Sequence, residues 1–150
     1  VNDFEAQLNH MLVETFNTIL KYEEVSLNSI LDVPVTIAEA HMIEAVGAHE
    51  NNKATVSAVA SQLKVSMPTA TVALKKLESK GFIAKVPCME DGRRAIVRLT
   101  DAGMRINRAH QQFHKRMVRN ISRQLDGAEK GALLIALTKL SDFFKEKIDA

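Results

Sequence analysis

Apolar residues fall at helical spacing from the first turn of the chain. Phe4, Leu8, Leu12, Phe16 and Leu20 succeed one another four residues apart, with Met11 and Ile19 beside them. Such a stripe predicts one long helix from residue 2 to about residue 29. A helix at this end cannot bury the stripe against a short hairpin of its own. It is therefore expected to meet a distant segment or a second subunit. The stretch from Ile30 to Val35 ends it, because the residue before Pro34 is pushed out of helical backbone.

Shorter elements follow. Thr36 and Glu39 form a capping box, which predicts a helix to about Gly47. The polar run from Ala48 to Lys53 reads as loop. Thr55 caps a short helix through Leu63, with Val56, Val59, Ala60 and Leu63 inward, and Lys64-Val65 makes a turn. Ser66 caps the next helix, which carries Pro68 in its first turn and stops at Gly81. Val72, Leu74 and Leu77 are its expected buried positions, and Thr69, Thr71, Lys75 and Lys76 its outer ones. Residues 82–86 and 95–99 have the alternation of strands, joined by turn chemistry at Pro87 and from Glu90 to Arg93. Thr100 opens a long helix to about Leu125, with Ile106, His110, Phe113, Met117 and Ile121 on one side. Arg105, Arg108, Lys115, Arg116, Arg119 and Arg123 make its other side basic. A capping box at Asp126 and Glu129 starts the last helix, to about Ile148. The order is mainly α with a small β-ribbon, the outline of a winged helix-turn-helix between long terminal helices.

Charge sharpens this outline. The net charge of +2 is unevenly spread. Residues 1–52 hold one basic and nine acidic side chains, a balance of −8, whereas residues 53–100 hold nine basic and three acidic, a balance of +6. Residues 101–150 carry ten basic and six acidic, a balance of +4. Positive charge therefore gathers on the element shaped to meet phosphate. The single cysteine, Cys88, excludes an internal disulfide framework and fits a reducing, cytoplasmic setting. No apolar run reaches membrane-span length, and the N-terminal stretch lacks the basic start of a signal peptide.

The helix from Ser66 suits a major groove. Ser66, Thr69 and Thr71 offer hydroxyls, Pro68 and Ala70 small apolar contacts for thymine methyls, and Lys75 a phosphate contact. It has no arginine, so an AT-rich site read by shape and methyl contact is expected. Arg93 and Arg94 at the ribbon tip suit a minor groove, with Asp91 placed to orient Arg93. Two copies would sit about 34–36 Å apart on one DNA face.

These features together resemble the MarR family of winged-helix regulators over the whole length. The resemblance rests on Leu77-Glu78-x-x-Gly81-Phe82-Ile83, on Asp91-x-Arg93, and on Val97-x-Leu99-Thr100-x-x-Gly103. Gly92 stands where an arginine is common, and Val72 where many members carry a polar or basic residue. The resemblance implies a homodimer on a pseudo-palindromic duplex. Residues 1–36 and 101–150 would form its dimerisation helices, residues 37–100 the DNA-binding lobe, and Arg93 the minor-groove contact. Within the family the chain is most similar to the FabT-type repressors of fatty-acid synthesis. That likeness rests on Ile19-Leu20-x-x-Glu23-Glu24-Val25-x-Leu27, on Thr69-x-Thr71 with Leu74, and on His110-x-x-Phe113-His114-Lys115-x-Met117-Val118. It implies acyl carrier protein bearing a long acyl chain as corepressor, which the basic helix could dock while an apolar pocket takes the acyl group. Phe16, His110, Phe113 and Met117 are the candidate pocket residues.

Other chemistries find less in the sequence. His110 and His114 stand four apart and could share a metal, but no third ligand has a matching spacing. A structural or pocket-lining histidine is the reading adopted, with no metal site, and His10, His41 and His49 are scattered. Cys88 near basic residues could sense oxidants, but without a second cysteine it reads as an inert thiol. There is no Gly-rich phosphate loop and no nucleophile–base pair, so no catalytic residue is assigned. A response to another small molecule, a metal ion or an oxidant is the alternative.

Overall fold

The computed structural model describes residues 2–87 and 95–150. Helix α1 (Asp3–Ile30) and α2 (Ile37–Gly47) lead to a short 3-10 turn and strand β1 (Lys53–Thr55). Helices α3 (Val56–Leu63) and α4 (Met67–Ser79) follow, then strands β2 (Ile83–Val86) and β3 (Ile96–Leu99). Helices α5 (Asp101–Arg123) and α6 (Gly127–Asp149) complete the chain. Tertiary contacts divide it into two compact units, residues 1–113 and 114–150, so α5 runs through both.

The helix starts follow from local side-chain chemistry. Thr36 accepts from the Glu39 amide while Glu39 returns a bond to the Thr36 amide. Asp126 and Glu129 repeat the device at α6, as do Asn2 and Glu5 at α1. Each satisfies donors that the first helical turn leaves unpaired. The end of α4 is equally defined. The Phe82 amide reaches the Leu77 carbonyl and the Gly81 amide the Glu78 carbonyl, both at 3.0 Å. Gly81 takes a φ of 82°, the left-handed conformation that this double closure requires. The end of α3 closes in the same way at Lys64, with φ of 55°.

The sheet has the order β1-β3-β2, antiparallel throughout. Strand β1 occupies Lys53–Thr55, where the polar pattern predicts only loop and a helix cap. It pairs Ala54 with Val97, while β2 pairs Ile83 with Leu99. The third strand gives β3 partners on both edges, support that a two-stranded ribbon lacks. Val97 and Leu99 point into a core shared with Ile43 and Val46 of α2, Val59 of α3 and Leu74 and Leu77 of α4.

Glu39 ties two parts of this unit together. One carboxylate oxygen caps α2, and the other lies 2.6 Å from Lys80 Nζ, just past the end of α4. Burial would raise its pKa, but Lys80 and the Thr36 bonds outweigh burial and hold it below the usual carboxylate value. A depressed folded pKa contributes stability that is present above the unfolded value and lost as pH falls through the folded one. Glu39→Gln is therefore expected to cost about 1 kcal/mol near neutrality and to flatten the acid limb of a urea-midpoint profile against pH. An unchanged acid limb would assign that limb to other groups.

The second unit contains the end of α5 and all of α6. Helix α6 has no buried residue, and Leu134, Ile135, Leu137, Phe143, Phe144 and Ile148 are exposed. The apolar stripe of α1 is also uncovered, Phe4 at 70% and Phe16 at 61% exposure. Within the described residues, no helix is long and apolar enough to cross a membrane.

Candidate nucleic-acid interface

Helices α3 and α4 form the helix-turn-helix, and their packing decides which face of α4 is free. Ala70, Leu74 and Leu77 are buried at i, i+4 and i+7. Ser66, Pro68, Thr69, Lys75 and Lys76 are exposed, and Thr71 is half-buried. Two expectations change places here. Val72, expected inside, is 70% exposed, and Ala70, expected to touch thymine methyls, is fully enclosed. The reason is angular: residues two apart in a helix lie on different faces, so Val72 cannot join Leu74 inward. The outward row is Thr69, Val72 and Lys76, with Pro68 and Lys75 beside it. The exposed apolar residue in the middle of this face is Val72, which sequence reasoning assigned to the core.

The two hydroxyls at the helix start do not have equal freedom. Ser66 Oγ accepts from the Thr69 amide at 3.2 Å and donates to Thr69 Oγ1 at 2.8 Å. Ser66 is thereby engaged as the cap, while Thr69 keeps its own proton to give outward. A cleft of about 500 Å³ opens beside the helix, lined by Thr71, Leu74, Lys75, Ile83, Lys85 and Val97 among others. Cys88, Asp91, Arg93 and Arg94 lie outside the described residues.

The long basic helix and the suggested effector residues sit as follows. Arg105, Arg108, Lys115, Arg116, Arg119 and Arg123 are all exposed along α5. His110 and Phe113 are buried in the first unit, where Phe113 meets the Tyr22 ring at 5.3 Å between centroids. Phe16 is exposed, and Met117, half-buried, belongs to the second unit.

A buried polar cluster joins three helices of the first unit. Glu23 of α1, 2% exposed, receives both His110 of α5 and His41 of α2 on a single oxygen, Oε1. The His41 Nε2 separation is 3.3 Å, and His110 Nε2 is in contact with the same oxygen. The two imidazoles stack at 5.6 Å and 30°. Burial would raise the Glu23 pKa, but the His110 bond and the charges of His41 and His110 hold it below the usual value. His41, one of the scattered histidines in the sequence, thus acquires two partners. The signal available was phase: Glu23 lies four residues before buried Leu27, and His110 four after buried Ile106.

Comparison with known proteins accords with this geometry. A MarR family model matches residues 37–95, from α2 through the start of β3's approach. The Bacillus subtilis HTH-type transcriptional regulator PchR is 25% identical over 120 residues, 77% of this chain and 69% of that protein. The structure of Streptococcus pneumoniae FabT in complex with DNA is 33% identical, with a TM-score of 0.88, covering 95% of this chain and 98% of that one. The Staphylococcus aureus MepR–DNA complex, 21% identical at a TM-score of 0.76 over 91% of this chain and 97% of that one, shares the fold. Winged architecture, family model and a near full-length match at that identity lead to one assignment: the chain belongs to the MarR family of winged helix-turn-helix DNA-binding transcriptional regulators.

Proposed function

We propose that this regulator is a cytoplasmic repressor of fatty-acid biosynthesis genes whose DNA affinity is set by acyl carrier protein bearing a long acyl chain. The observation that carries the reading is the 33% identity to FabT over 95% of the chain, in a relative crystallised with DNA. The exposed cations of α5 support it, since they offer an acidic carrier a docking surface. The uncovered apolar faces of α1 and α6 support a homodimer, which would set two copies of α4 on a pseudo-palindromic, AT-rich operator. In each copy Pro68, Thr69, Thr71 and Val72 would face bases, Lys75 and Lys76 phosphates, and Ser66 would hold the helix start. Arg93, oriented by Asp91 and aided by Arg94, would enter the minor groove.

The test is a mobility-shift titration on AT-rich duplex with acylated and unacylated carrier protein. The acylated form is expected to change DNA affinity by at least about fivefold, the low end of ordinary coupling between sites. Equal effects of the two carrier forms would sink the fatty-acid reading. An affinity that does not fall with added salt would sink the DNA contacts themselves.

A further inference from the structure

We propose that Lys75 and Lys85 hold one DNA sugar-phosphate strand in the cleft between α4 and the β2–β3 ribbon, and that Glu78 in the same cleft limits how tightly they hold it. The inference rests on the docking described above. That docking sets α4 in the major groove and Arg93, from the segment joining β2 to β3, in the minor groove beside it. A single backbone strand separates those grooves, and it has to cross the cleft.

The cleft, about 500 Å³ in volume, has Lys75 and Glu78 on its α4 wall and Lys85 on its β2 wall. Register fixes the side from which Lys85 leaves the ribbon. It pairs with Val97, which is 4% exposed and belongs to the core. Directly opposed residues share one face of a sheet, so Lys85 leaves on the side turned to α4. Its neighbour Ala84 pairs with Arg98, which pairs in turn with Lys53, and these three lie on the outer face. Lys75 and Lys85 are both exposed, and neither has an ion-pair partner among the described residues. Two such ammonium groups on the walls of one cleft gain from an anion between them. The first turn of α3 lines the cleft as well, and a helix start adds positive partial charge. Exposed Ser57 brings a hydroxyl donor to the same rim.

Glu78 works against the strand. It follows Lys75 by three residues on the same side of α4 and is half-buried at the cleft. A carboxylate beside a phosphate path weakens binding to every sequence alike. The cleft therefore carries affinity without sequence information, and its carboxylate keeps the protein from clinging to DNA that lacks the operator.

The experiment measures affinity of the full chain for an AT-rich and a GC-rich duplex of equal length across a salt series, by fluorescence anisotropy. Lys85→Ala is expected to flatten the slope of log affinity against log salt by about 0.9 for each lobe on the duplex. At about 0.1 M salt the matching loss is about eightfold per lobe, the same on both duplexes. Lys85→Arg should restore the slope of the parent. Lys53→Ala removes an equal charge from the outer face of the sheet and should change neither slope nor affinity. Glu78→Gln should raise affinity about 1.5–5-fold on both duplexes. Circular dichroism and thermal melts of all four variants should match the parent. A parental slope in Lys85→Ala would overturn the proposal. So would an equal loss in Lys53→Ala, which would assign the effect to net charge. A loss in Lys85→Ala confined to the AT-rich duplex would overturn it too, by placing Lys85 among the base contacts. Unchanged or weaker binding in Glu78→Gln would remove the role given to that carboxylate. A parent that binds neither duplex would end the docking reading itself, whereas a parent that binds and a silent Lys85→Ala would end the proposal alone.

Discussion

Gly103→Val is expected to lower the unfolding free energy by about 3 kcal/mol, at the upper end of ordinary overpacking. A Cβ at Gly103 would overlap the carbonyl oxygen of Phe82, a backbone atom that cannot turn aside. That carbonyl also accepts from the Thr100 amide at 3.1 Å. Thr100 Oγ1 in turn donates to the Gly81 carbonyl at 2.6 Å and accepts from the Gly103 amide at 3.2 Å. The start of α5 is thus bonded directly to the corner between α4 and β2, through the amide and the hydroxyl of Thr100. Pushing the two apart would break these bonds and open the core around Phe82, Ile83 and Leu99. For a domain of this size the loss corresponds to a fall of about 6–12 °C in Tm. Gly103→Ala should carry most of the effect, because the overlap begins at Cβ. A Tm within about 2 °C of the parent for both variants would show that the corner yields freely.

Leu134→Glu in α6 and Phe4→Glu in α1 are each expected to turn the proposed dimer into a monomer at micromolar concentration. Both side chains are exposed in the single chain, Leu134 at 67% and Phe4 at 70%. Covering such a residue contributes about 1.5–3 kcal/mol, and twofold symmetry counts it twice. Reversing the sign of that contribution and burying a charge should lower DNA affinity at least about 100-fold, since pairing two reading helices multiplies their affinities. Sedimentation equilibrium and mobility shift check the two halves of the claim. Variants that sediment and bind DNA like the parent would remove these faces from the interface.

What the sequence disclosed was local. Thr36 with Glu39 and Asp126 with Glu129 state their helix starts in four residues, and Gly81 marks a stop that only its own conformation needs. These signals were legible because cause and effect share one turn of chain. Strand β1 was not, because Lys53-Ala54-Thr55 has no strand character of its own and exists through its pairing to β3. The exchange of Ala70 and Val72 came from taking any apolar residue as buried, where the phase set by Leu74 and Leu77 decides. The Glu23–His41–His110 cluster was hidden by distance along the chain, although two of its members sit in the buried phase of their helices. Along α4 the sequence foresaw the exposure of Ser66, Pro68, Thr69, Lys75 and Lys76, and it misplaced Ala70 and the residue at the middle of the face.

That residue, Val72, has a consequence for what the protein can distinguish. A valine reads a methyl group rather than a base. Thymine displays its C5-methyl in the major groove, and 5-methylcytosine displays the same group at the same position. On the proposed docking, the contact made by Val72 would be blind to that difference, and methylation of a cytosine in the operator would restore what a thymine-to-cytosine change removes.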